Sequence, residues 1–123
     1  MIRKLEEQRS YTRNPGVEMR VLMEPAEMYE AGRLYACITV APGASLSYHE
    51  HKGELESFYI VKGTCRVEDN HETAYLKEGD VMITPHDHGH AVYNDSAEPV
   101  DLIALIVSRE QGVPGGSKSC SIH

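Results

Sequence analysis

The chain has no long apolar run, no basic excess and no paired spacing of cysteines, and each lack excludes a class of protein. No stretch approaches the roughly 18 apolar residues of a membrane-spanning helix, so contact with a membrane is not expected. The opening, Met1-Ile-Arg-Lys-Leu-Glu-Glu-Gln-Arg9, is charged where a secretion signal would be apolar, and cytoplasm is the expected location. Lys and Arg number 12 against 19 Asp and Glu, for a net charge of -7. With a pI near 5.4 there is no basic patch to neutralise phosphates, so nucleic acid is not an expected partner. Cys37, Cys65 and Cys120 are an odd number without paired spacing, which argues against a disulfide framework. Cys37 and Cys65 lie in apolar runs and read as small buried hydrophobes, whereas Cys120 falls in a tail.

What is present suits one domain. A length of 123 residues allows a real core but not two of them. The reading divides it into an N-terminal extension, 1–30, that packs a short strand on the barrel or on a dimer partner. A barrel follows over 31–108, then a flexible tail over 109–123 that loses all periodicity. Early in the chain Asn14-Pro15-Gly16 breaks any helix, residues 19–23 alternate enough for a short strand, and 24–30 form one helical turn or a loop. In 33–40, Leu34, Ala36, Ile38 and Val40 share a face at a spacing of two. Short strand-like segments then recur at 46–51, 56–61, 64–68, 73–76, 80–84, 90–94 and 100–107. Turn residues such as Lys62-Gly63 and Asp69-Asn70-His71 separate them. Many short strands with regular breaks predict an all-β domain, closed or sandwiched, and period alone does not choose among such folds.

Four residues stand out against this background. His49 and His51 fall on one side of a strand, about 7 Å apart along it. Glu56 shares its face with Phe58 and Ile60, and a carboxylate in a core-facing row needs a partner, because an isolated buried charge is costly. His90 likewise shares its face with Val92 and Asn94. Singly, each residue reads as an ordinary polar group satisfied by hydrogen bonds. Together, three imidazoles and one hard carboxylate suit a divalent first-row transition ion. Others are weaker candidates. Tyr48 should turn away from the site, Glu54 reads as a solvated acid, His86 and His88 as exposed loop residues with a role at the pocket rim as the alternative, and His71 as surface.

The same residues carry a family resemblance. Gly43 to Gly63 reads G-x5-H-x-H-x4-E-x6-G and matches the first cupin motif at every fixed position. Gly79 to Asn94 reads G-x5-P-x-D-x2-H-x3-N, departing from the second only where Asp87 replaces glycine. Aspartate tolerates a left-handed backbone better than most residues, so that departure is expected to alter loop shape rather than the metal site. The chain thus resembles a small single-domain cupin. The resemblance implies a double-stranded β-helix, a jelly-roll barrel, in which His49, His51, Glu56 and His90 converge as metal ligands. It also implies a homodimer, and the 100–107 run, expected to be buried on both faces, could be core or interface.

Four protein ligands leave a six-coordinate ion two positions for water or substrate. The metal could be manganese, iron, nickel, cobalt or zinc, since affinity order does not select among them. The expected function is a small metalloenzyme, of isomerase, lyase or dioxygenase type, acting on an oxygen-rich metabolite such as a sugar derivative or oxo-acid. The alternative is a metal-dependent metabolite-binding or sensor module without turnover. No catalytic residue is identifiable, because nothing outside the four stands out as a general base.

Overall fold

Two antiparallel sheets face one another in the computed structural model, which describes residues 1–108. The strands, in chain order, are β1 (Ser10–Asn14), β2 (Val17–Met23), β3 (Gly32–Val40), β4 (Ser45–Glu50), β5 (Glu54–Lys62), β6 (Cys65–Asp69), β7 (Glu72–Leu76), β8 (Val81–Thr84), β9 (Gly89–Tyr93) and β10 (Val100–Ser108). A six-stranded sheet runs β1-β2-β3-β10-β5-β8, and a four-stranded sheet runs β4-β9-β6-β7. The chain crosses repeatedly from one to the other, giving the all-β jelly roll. Among the described residues only two short 3₁₀ turns are helical, Leu5–Glu7 and Pro25–Met28, and no helix is long and apolar enough to cross a membrane. The region 24–30 thus resolves as one helical turn.

Alternation decides which side chains enter the core. Along β3 the buried set is Ala36, Ile38 and Val40; along β5 it is Glu56, Phe58 and Ile60; along β10 it is Val100, Leu102, Ala104 and Ile106. Burying each large aliphatic or aromatic of these rows contributes about 1.5–3 kcal/mol. β10 lies between β3 and β5, with Ile106 paired to both Leu34 and Glu56. Its outer row departs from the sequence reading. Ile103 and Leu105 are only partly buried, because no described element of the chain covers that face of the sheet. Tyr59, Val61, Val81 and Ile83 are exposed beside them.

The N-terminal strand β1 forms a hairpin with β2, turning at Pro15-Gly16. Gly16 takes a φ of +82°, and a Cβ there would meet the Ala44 Cβ at 2.6 Å, so only glycine fits the turn. Cys65 is buried, and burial pushes its thiol up to about 11. Cys37 is half-buried, with its thiol raised for the same reason. Both match the reading as packed hydrophobes rather than reactive groups. Cys120 and the predicted 109–123 tail lie outside the described residues.

Candidate metal site

His49 reaches the barrel interior only because β4 is irregular. Its pairing with β9 runs Leu46 to Val92 and then His49 to His90, so three steps on β4 oppose two on β9. Leu46 is buried in the core, and strict alternation from it would send His49 outward. The bulge at Ser47 and Tyr48 shifts the phase by one and turns His49 inward. His51 follows just past the strand end. Its backbone is tied to the second glycine block, its N–H donating to the His88 carbonyl at 3.1 Å and its carbonyl accepting from Asp87 N–H at 2.7 Å. Asp87 sits at a φ of +70°, the left-handed conformation expected where the motif has glycine.

Glu56 comes from β5 and His90 from β9, so the two sheets meet in this cluster. One ligand-capable atom from each of His49, His51, Glu56 and His90 lies within 4.8 Å of all the others. Glu56 Oε1 stands 2.8 Å from His51 Nε2, 3.0 Å from His90 Nε2 and 4.0 Å from His49 Nε2. The two buried rings approach at 3.2 Å between their Nε2 atoms. All three imidazoles are mutually steep, at 68°, 78° and 84°, so their edges point to one region. Side-chain exposure is 34% for His49 but 3%, 4% and 1% for His51, Glu56 and His90, so the cluster opens to solvent past His49.

Each ring has an outer anchor. His49 Nδ1 faces the Ser47 carbonyl at 2.9 Å, His51 Nδ1 faces the Glu54 carboxylate at 3.2 Å, and His90 Nδ1 faces the Thr84 hydroxyl at 2.7 Å. Phe58 stacks on His90 with centroids 4.7 Å apart. A carbonyl can only accept, so His49 carries its proton on Nδ1 and a lone pair on Nε2. The Arg33 guanidinium holds Glu54 below the usual carboxylate range, so Glu54 is ionised, and His51 takes the same tautomer. Burial lowers His49, outweighing the Ser47 carbonyl that favours its charged ring.

His49 and His51 thus present lone pairs inward beside the buried Glu56 carboxylate, and the Thr84 hydroxyl, which can accept from His90 Nδ1–H, allows His90 to do the same. Left so, they would repel, and a buried unpaired carboxylate is costly. A cation satisfies all of them at once. Bonds of ~2.0–2.2 Å at right angles would place neighbouring ligand atoms ~2.8–3.1 Å apart. The separations among Glu56, His51 and His90, 2.8, 3.0 and 3.2 Å, lie at or close to that spacing, and His49 Nε2 stands farther out, 4.0 Å from Glu56. The residues present can hold a divalent metal ion.

The remaining sequence candidates fall around this cluster rather than in it. Tyr48 turns outward as expected, stacks on His71 at 4.8 Å and lies over Gly89, where a Cβ would meet its ring at 2.4 Å. His71 is exposed but serves as that stacking partner. His86 Nδ1 accepts from Gly53 N–H at 2.7 Å, and its Nε2 lies 3.0 Å from Asp87, which also pairs with Lys52 at 2.8 Å. These contacts brace the loop beside His51. Two residues were missed as participants. Glu54 is not a solvated acid but the anchor of His51, a role its position three residues along the same turn could have signalled. Thr84 supports His90 from within the second glycine block, just before Pro85.

Comparison with known proteins agrees with this geometry. The family model described as a cupin domain matches residues 36–106. The oxalate-binding protein of Thermotoga maritima is 33% identical over 91 residues, covering 74% of this chain and 75% of that one. The mannose-1-phosphate guanylyltransferase ManC of Salmonella typhimurium is 35% identical over 83 residues, which span 68% of this chain but 16% of that enzyme. Among solved structures, a predicted oxalate decarboxylase from Thermotoga maritima superposes with a TM-score of 0.80 at 29% identity, covering 88% of this chain and 99% of that one. KdgF from Halomonas sp. gives a TM-score of 0.76 at 21% identity over 90% of this chain and 96% of its own, a likeness of fold alone. With the family match spanning more than half its residues, over the same barrel that carries the histidine–glutamate cluster, the chain belongs to the cupin family.

Proposed function

We propose that His49, His51, Glu56 and His90 ligate one divalent transition ion, and that the ion takes a small oxygen-rich acid as substrate. The single observation behind this is the convergence of three imidazoles on a buried carboxylate, 2.8 and 3.0 Å from its nearest imidazole nitrogens. The oxalate-binding relative supports a small dicarboxylate or oxo-acid rather than a larger sugar. When bound, such an ion supplies Lewis acidity toward a carbonyl or carboxylate oxygen. The chain's own part is to hold the donors and keep water out. Thr84, Ser47 and Glu54 fix the three rings, Phe58 floors His90, and the exposed edge of His49 marks the side of entry. The test is elemental analysis of untagged protein, followed by turnover assays on oxalate and related oxo-acids. One transition metal per chain with metal-dependent turnover is the expected result; full activity after metal stripping would sink it.

A second reading, binding without turnover, draws on the same relative, described as oxalate-binding. It is favoured by Glu54, whose carboxylate is engaged by Arg33 and His51 instead of standing ready to move a proton. Calorimetry showing metal-dependent oxalate binding, with no product after prolonged incubation, would select it.

We also propose that two copies pair through the outer face of the six-stranded sheet. Tyr59, Val61, Val81 and Ile83 are exposed there beside the half-buried Ile103 and Leu105, an apolar surface of the kind that marks an interface. Light scattering at micromolar concentration should give twice the chain mass, and a monomer mass would refute the pairing.

A further inference from the structure

We propose that Glu54 is a positioning residue for the metal site, resting on the ligand assignment above: it sets the tautomer and orientation of His51 and strengthens that ring as a donor. The three rings are anchored differently. His49 leans on a backbone carbonyl and His90 on a neutral hydroxyl, while His51 alone faces a carboxylate. A charged acceptor makes a stronger hydrogen bond than a neutral one and raises electron density on the opposite nitrogen. His51 Nε2 is the nitrogen nearest Glu56, at 2.8 Å, so the effect falls on the most confined donor of the set.

Arg33 makes the arrangement specific. Its guanidinium grips Glu54 with two nitrogens, Nη2 to Oε1 at 3.1 Å and Nε to Oε2 closer still. Arg33 is the second residue of β3 and Glu54 the first of β5, so the grip joins two strands of one sheet that β10 separates. Held this way, Glu54 keeps its Oε1 on His51 Nδ1 and stays outside the inward-facing group. Residues 51–54 alone would not fix that choice, because a glutamate on a turn containing Gly53 has room to swing. Three components therefore act in series: Arg33 orients Glu54, Glu54 orients His51, and His51 presents Nε2 to the ion.

The experiment compares full-length parent, Glu54→Ala and Glu54→Gln. Nitrogen-15 NMR reads the His51 ring in metal-free protein, and titration with Mn²⁺ or Co²⁺ reads affinity, with the visible spectrum of the Co²⁺ form reporting ligand field. The expected result is a parent His51 protonated on Nδ1, lost as a single tautomer in Glu54→Ala. Metal binding should weaken in that variant by about 10–100-fold, with an altered Co²⁺ spectrum. Glu54→Gln, which keeps an acceptor without the charge, should restore the tautomer and part of the affinity. A control, Glu24→Gln at the distant Arg9 pair, should leave both readings at parent values. Glu54→Ala with an unchanged His51 spectrum and parent affinity overturns the proposal. If the parent takes up no metal yet its His51 tautomer follows Glu54, the positioning role stands and the ligand assignment falls.

Discussion

The two ends of the barrel each bury a polar cluster, and they are satisfied in opposite ways. At one end Asn94 is fully enclosed, and every polar atom of its side chain has a protein partner. Its Nδ2 donates to the carbonyls of Val40 at 2.9 Å and Glu98 at 2.8 Å, and its Oδ1 accepts from Ser96 N–H and Oγ. At the other end Glu56 is enclosed equally well, but its near neighbours are imidazole nitrogens, and the nearest, His51 Nε2 at 2.8 Å, belongs to a ring whose proton is held on the far side by Glu54. Burial is the same; completeness is not. A closed network is architecture, whereas a buried carboxylate set among imidazole nitrogens is an arrangement that could hold a cation.

Breaking each end separately should expose that difference. The largest effect is expected at the Glu56 end: His90→Ala should abolish metal uptake, measured by elemental analysis. Metal saturation at a thousand times the dissociation constant adds about 4 kcal/mol, so chelator should lower the parent melting temperature strongly and the variant's not at all. At the other end, Asn94→Ala should cost about 1–3 kcal/mol by leaving buried carbonyls unpaired. That loss should be the same with and without metal in denaturant titrations. A metal-dependent loss would mean the ends are coupled.

Finer cuts sharpen the contrast. Thr84→Val should weaken metal binding about 10-fold in a competition titration, by removing the anchor of His90 Nδ1. Glu56→Ala should lose metal and yet be more stable than the metal-free parent by about 1 kcal/mol, seen as a higher melting temperature, because it removes a buried carboxylate that faces the lone pair of His51. A lower melting point for the metal-free variant would refute the acceptor-crowding argument. The smallest effect concerns a charge paired near the surface. Glu27 is drawn down to about 2 by hydrogen bonds from Arg3 and the Glu24 N–H, below its ordinary value of 4.5. Its contribution is therefore complete above about 4.5 and lost as pH falls toward 2. Glu27→Gln should therefore lower stability at neutral pH and converge with the parent as pH falls toward 2, so that denaturant titrations across that window show a flatter pH dependence.

Much of this is legible in the sequence alone. The strands of the barrel announce themselves because one face of each is buried, which stamps a period of two on the residues. Strand β1 left no such mark. Ser10–Asn14 lies at the sheet edge with its first four residues exposed, and such a strand has no apolar row to read. The four site residues were found through motif spacing and through the anomaly of a carboxylate beside Phe58 and Ile60. Glu54 was misjudged because its charge is neutralised by Arg33, a residue 21 positions away that becomes a neighbour only in the folded sheet.

The irregularity in β4 makes the site a matter of counting. Gly43 starts the turn and His49 must arrive inward after five intervening residues, one of them absorbed by the bulge. Straightening the bulge without changing the number of residues would keep Leu46 in the core yet rotate the following histidines to the solvent side, whereas removing Ser47 or Tyr48 would make the pairing regular with Leu46 and His49 both inward. The inward placement of His49 is thus a property of the backbone's local irregularity, which no individual side chain carries.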